Sequence, residues 1–149
     1  SEIILDRDFL EKKFDVVIFA DVLEHLYDPL GVLSKIRSVL ADNGYIVASI
    51  PNIAHASVVF EMMHGNFGYR DWGLLDDTHI RFFTKKTIYQ MFEKAGFKIS
   101  SLERVTKIPR DTEFKTQPGN WRERFIIDYI SKINPESNTY QFIVKAIKV

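Results

Sequence analysis

A chain of 149 residues that is 46% hydrophobic can bury a core of ordinary size, so residues 1–149 are read as a single domain. Its 20 acidic and 20 basic side chains cancel, with no long run of like charge, which argues against nucleic acid or an anionic membrane as a partner. The absence of cysteine excludes disulfides, thiolate zinc sites and cysteine nucleophiles, and fits a cytoplasmic location.

The opening "SEIILDRDF" lacks the basic and apolar segments of a signal peptide, and no apolar stretch approaches the roughly 20 residues of a membrane helix. From Phe14 to Ala20, "FDVVIFA" is short and rich in β-branched residues, which predicts a parallel strand buried on both faces. Asp28 and Pro29 are a cap and a first helical residue. Val32, Leu33, Ile36, Val39 and Leu40 then form an apolar stripe that ends near "ADNG", where Gly44 is expected to supply a left-handed cap. "YIVASI" is a second buried strand, stopped by Pro51.

Residues 52–64 are weakly helical, and "GNFGYRDWGLLDDTHIRFF" is a glycine- and aromatic-rich connection of the length that usually serves function. Thr84 caps a helix that buries Ile88, Met91, Phe92 and Ala95 and closes at Gly96. "FKISSLERV" is a strand. Asn120 caps an amphipathic helix whose apolar positions are Phe125, Ile126, Tyr129, Ile130 and Ile133, and "TYQFIVKAIKV" ends the chain as a long strand.

Four stretches in this order, "FDVVIFADVLEHLYDP", "LADNGYIVASIPN", "LLDDTHIRFFTKKTI" and "FEKAGFKI", resemble the class I S-adenosylmethionine-dependent methyltransferases over residues 14 to 105. The likeness is greatest to small-molecule methyltransferases found with glycosyltransferases in surface-polysaccharide pathways. It implies an α/β, Rossmann-like sheet, mostly parallel with an antiparallel last strand, and S-adenosylmethionine as cofactor. The family's glycine-rich first turn has no counterpart, because the sequence holds no GxG. The chain therefore reads as the second half of such a domain, lacking the glycine-rich cofactor-binding half and inactive alone, with "SEIILDRDF" as the remnant of the preceding strand and turn.

By the same resemblance the end of the first strand faces the cofactor through Ala20, Asp21 and Val22, and the following turn faces the acceptor through Glu24 and His25. Asp21-x-x-Glu24-His25 also resembles the Glu-x-x-Glu-His arrangement that holds a divalent cation in ubiquinone-pathway O-methyltransferases; turn chemistry is the plainer alternative, and no metal is assigned. His25, His55 and His79 are the acid/base candidates, and Arg81, Tyr69 and Trp72 the acceptor-binding ones. His79 and Arg81 could instead pin the long loop. Phe67, Tyr69 and Trp72 form either a lid or a satellite core, and His64 belongs at a helix end. The expected acceptor is a small or sugar-like molecule. The expected macromolecular partner is a second copy or another chain covering the sheet edge that missing strands leave open, and a non-catalytic assembly module is the competing reading.

Overall fold

The computed structural model describes residues 12–149, so the reading of "SEIILDRDF" lies outside the described residues. Strand β1 (Phe14–Ala20) leads through a 3-10 turn at Leu23–His25 to α1 (Pro29–Val39) and β2 (Leu40–Pro51). Helix α2 (Ala56–Met63), the long connection, α3 (Lys85–Lys94) and β3 (Phe97–Thr106) follow. A turn at Pro109–Asp111, α4 (Trp121–Ile133) and β4 (Thr139–Lys148) complete the chain. The four strands form one sheet in the order β1-β2-β4-β3. β2 is parallel to β1, and β4 enters antiparallel between β2 and β3. The mixed α/β sheet with an antiparallel last strand is thus the one anticipated.

Local signals set the helix starts. The Asp28 carboxylate accepts the Gly31 amide at 2.8 Å, Thr84 and Thr87 form a reciprocal capping box, and Asn120 accepts the amides of Arg122 and Glu123. Gly96 follows α3 with φ +79, the left-handed conformation that glycine adopts without steric cost.

The cap expected at Gly44 does not form. Helix α1 already stops at Val39, and the β1–β2 register jumps from Phe14 opposite Leu40 to Val16 opposite Tyr45, so residues 41–44 bulge within the strand. Gly44 is needed for close approach instead: a Cβ there would lie 2.8 Å from the Phe14 carbonyl oxygen.

The main core lies on one face of the sheet. Phe19, Ile46, Ala48, Ile50, Phe142, Val144 and Ala146 pack there with Leu33 and Ile36 of α1 and with Ile88 and Phe92 of α3. A smaller cluster joins Val58 to Leu74 and Leu75 beneath the long connection, with Ile53, Phe82, Phe114 and Tyr140 around it. Strand β1 is not buried on both faces as expected. Val16 and Ile18, on the alternate side from Val17 and Phe19, are 38% and 69% exposed, because no described segment covers that side. Helix α4 departs likewise: only Ile130 is fully buried, while Phe125, Tyr129 and Ile133 face outward.

Candidate active site

Open parallel sheets bind ligands beyond the carboxyl ends of their strands. At that end of β1 and β2 lies a cavity of about 350 Å3 whose walls include Asp21, Glu24, His25, Trp72, His79, Lys107, Tyr140 and Gln141. Asp21 ends β1 with φ 52, a left-handed conformation that Asp tolerates better than most side chains. Its amide donates to Ser49 Oγ at 2.9 Å, and the Ser49 hydroxyl donates back to the carboxylate at 3.0 Å. Gln141 also donates to that carboxylate, so β2 and β4 jointly hold the tip of β1. Ala20 and Val22 flank it, exposed and half-buried respectively.

The 3-10 turn after β1 turns Glu24 inward. Glu24 is 1% exposed, and neither carboxylate oxygen has a hydrogen-bond partner among the described residues. Its main-chain carbonyl accepts the amides of Ile80 and Arg81, both at 3.0 Å, which ties the long connection to the turn. Burial pushes the carboxyl pKa up to about 7, and the neighbouring Asp21 charge adds to the rise.

Two histidines converge on this carboxylate. His25 Nδ1 donates to the Thr78 carbonyl at 3.1 Å and His79 Nδ1 donates to the Leu74 carbonyl at 3.4 Å. Each bond fixes the tautomer that leaves an Nε2 lone pair available. His79 Nε2 lies 4.0 Å from Glu24 Oε1, and the two imidazoles meet edge to face at 4.8 Å. Burial holds the His79 pKa below the usual imidazole value, which keeps the ring neutral. One potential ligand atom from each of Glu24, His25 and His79 fits within a span of 4.8 Å. The His79 Nε2 lone pair, the neighbouring His25 imidazole and an unpartnered buried carboxylate are a donor set that suits a divalent transition-metal ion.

Of the other expected residues, His55, Arg81 and Tyr69 are placed elsewhere. His55 is fully buried as the cap of α2: its Nδ1 accepts the Ser57 amide at 3.2 Å and its Nε2 donates to the Lys107 carbonyl at 2.8 Å. Both ring nitrogens are hydrogen-bonded, and burial lowers its pKa. Arg81 likewise spends its guanidinium on the Tyr27 carbonyl, with Nε at 3.1 Å, and pins the loop to the entry of α1. Trp72 reaches the cavity wall and is 59% exposed; Tyr69, 57% exposed, is not among the wall residues and meets Phe67 edge to face. His64 ends α2, where its Nδ1 donates to the Phe60 carbonyl.

Sequence reasoning did not single out Ser49, Lys107, Glu113, Tyr140 or Gln141. Tyr140 donates its hydroxyl to Glu113 at 2.9 Å, and Glu113 also accepts the Leu74 amide at 2.5 Å, so the distal segment clamps the loop that carries His79. The alternation in "TYQFIVKAIKV" was the available signal: it places Gln141 on the opposite side from Phe142, at the strand start, level with Pro51.

A model of the methyltransferase domain family matches residues 4–102, and the chain belongs to that family. Among curated relatives, the ubiquinone biosynthesis O-methyltransferase of Cereibacter sphaeroides is 29% identical over 92 residues, covering 57% of this chain and 34% of that protein. The tRNA 5-carboxymethoxyuridine methyltransferase of Escherichia coli O157:H7 is 28% identical over 103 residues, covering 60% of this chain and 39% of its own length. The chain thus spans little more than a third of these relatives. Among solved structures, a SAM-dependent methyltransferase from Archaeoglobus fulgidus superposes with a TM-score of 0.60 at 21% identity, over 95% of this chain and 62% of that one. The fold is that of the S-adenosylmethionine-dependent methyltransferases.

Proposed function

We propose that the protein containing this chain transfers a methyl group from S-adenosylmethionine to a hydroxyl of a small-molecule acceptor. The observation that carries this reading is the convergence of the His25 and His79 imidazoles on Glu24, beside a cavity at the carboxyl ends of β1 and β2. The sulfonium is already an activated donor, so the protein's task is alignment and proton removal. Asp21, with the backbone of Ala20 and Val22, faces the cofactor. His25, half-buried in the cavity wall, would take the acceptor's hydroxyl proton, and bound S-adenosylmethionine would supply the methyl group. Glu24 lies behind it and, as the carboxylate, balances the imidazolium, with the neutral His79 ring alongside. Trp72 shields the acceptor side. The acid/base task falls to His25 and His79 and not to His55, whose nitrogens are both occupied. A small acceptor is favoured over tRNA because the chain carries a net charge of +0.

The rest of the cofactor pocket is supplied by a preceding glycine-rich half. This is supported by the relatives' greater length and by the apolar side of β1 that no described segment covers. Calorimetric titration of S-adenosylmethionine tests the reading: the full-length protein should bind it and methylate a hydroxyl acceptor, and failure of the full-length protein to bind it would overturn the proposal.

The orphaned oxygens of Glu24 favour a second use of the same groups. Glu24, His25 and His79 would hold a divalent cation, which supplies Lewis acidity toward an acceptor hydroxyl. The histidines then act as ligands. Metal content after purification distinguishes the two uses.

A further inference from the structure

Helix α4 is amphipathic in an unusual sense, with an apolar inner face and a second apolar ridge on its outer side. Ile130 is buried and Ile126 and Ile127 are half-buried, which accounts for the packing of α4 onto the body. Trp121, Phe125, Tyr129 and Ile133 recur every fourth residue and are 73%, 65%, 54% and 64% exposed. They form one continuous i, i+4 row about 18 Å long at 1.5 Å per residue. The row is ordered internally: the Phe125 and Tyr129 rings stack at 6.4 Å with 16° between planes, and the Arg122 guanidinium sits over Trp121 at 5.4 Å. Nothing in the methyl-transfer chemistry uses it. None of the four residues lines the cavity that holds Glu24, His25 and His79.

We propose that this ridge is a self-association surface, occupied by α4 of a second copy of the chain in a two-fold dimer. Rows of i±4 side chains interdigitate with identical rows when two helices cross at about −50°, the commonest packing class. An isologous contact places one patch against itself, so a central pair of flat rings with one apolar residue at either end is self-matching. Phe125 of one copy meets Tyr129 of the other across the axis, and Trp121 lies toward Ile133 at the margins. The area is of the right size. If large side chains present about 150–250 Å2 each, the observed exposures leave roughly 500–600 Å2 of apolar surface per copy. Pairing two ridges removes about 1,000–1,200 Å2 in all, at the lower bound for a specific protein interface. A reversible dimer follows, and this surface is separate from the uncovered side of β1.

Sedimentation velocity on the full-length protein across a wide concentration range tests this. The expected result is a concentration-dependent species of twice the monomer mass. Phe125→Glu and Tyr129→Glu should each raise the dimer dissociation constant at least about 30-fold. Because both side chains are exposed, the variants should keep the wild-type circular dichroism and thermal midpoint. Ile18→Lys, on the uncovered side of β1, should leave the dimer unchanged. A protein that stays monomeric throughout would overturn the proposal, as would a dimer that survives both α4 variants or that Ile18→Lys alone dissolves. A monomer in which tryptophan fluorescence shows Trp121 buried would assign the ridge to another segment of the polypeptide and equally overturn it. If only Phe125→Glu unfolds the protein, the Tyr129→Glu result decides.

Discussion

Glu24 Oε1 and His79 Nε2 face each other at 4.0 Å, too far for a hydrogen bond and near enough for one ion to touch both. With His25 completing the group, the chain should bind a divalent transition metal without its cofactor. Titration of Mn2+ or Zn2+ should give one site per chain. His79→Ala should weaken it by at least about tenfold, as loss of a direct ligand does. His55→Ala should leave metal affinity unchanged, because both of its nitrogens are already bonded. Equal loss in the two variants would show that the effect is structural.

The buried Glu24 carboxyl gives the fold a definite pH dependence. Its pKa rises from 4.5 to about 7, so the folded state holds a proton that the unfolded chain has released. This contribution is present in full below about pH 4.5 and is lost as pH rises through 7, for a total of about 3 kcal/mol. His79 and His55 act in a different window: their lowered values mean that stability falls as pH drops below 6.5. Glu24→Gln should flatten the alkaline limb and raise the denaturation midpoint at pH 8. A saturating divalent cation should do the same for the wild type and nothing for the variant. An unchanged alkaline limb in Glu24→Gln would place the titration elsewhere.

With the rest of the pocket supplied by the proposed glycine-rich half, the isolated chain should bind S-adenosylmethionine at least about 100-fold more weakly than the full-length protein. Parallel calorimetric titrations of the two polypeptides measure this. Tight binding by the 149-residue chain would show that Asp21 and its neighbours suffice.

Most of the fold was legible because capping residues and apolar periodicity act locally. Asp28, Thr84 and Asn120 each cap the helix their sequence context announced. The errors concern what surrounds a segment. Nothing in "ADNG" reveals that the Phe14 carbonyl presses on Gly44, and nothing in "FDVVIFA" tells whether a second layer covers it. The site was legible in the same measure. Glu24 and His25 sit on one turn, but their meeting with His79 depends on a loop whose course is set by bonds to Tyr27, Glu24 and Glu113, separated widely in sequence. His55 and His79 look equivalent in the chain. Only the hydrogen-bond partners of their second nitrogens tell a cap from a candidate base.

Gly73 should be the least replaceable residue of that loop. Its φ is +95, and a Cβ would lie 2.3 Å from Glu113 Oε1, the oxygen that also accepts the Leu74 amide. Gly73→Ala therefore adds backbone strain and displaces the carboxylate that clamps Leu74 and Tyr140, at a cost of about 2–4 kcal/mol. Chemical denaturation should show that loss. Gly68→Ala, where nothing stands within 4 Å, should cost far less.

Glu136 fastens three elements around one carboxylate. Its carboxylate accepts both Nε and Nη2 of Arg104, at 2.8 and 2.9 Å, together with Lys85 Nζ at 2.6 Å and the Thr139 hydroxyl at 3.0 Å. These partners join β3, the start of α3 and the start of β4 around one group, and Arg104 is the chief reason the pKa falls to about 2. A depressed carboxyl stabilises the fold above its unfolded value and loses that contribution as pH falls from 4.5 toward 2. Glu136→Gln should therefore destabilise the protein by roughly 1–3 kcal/mol at pH 7, with the difference from wild type shrinking as the solution is acidified. Paired denaturation curves at pH 7 and pH 3 measure it. A deficit that persists undiminished at pH 3 would mean that the shape of the side chain, and not its charge, holds the three elements together.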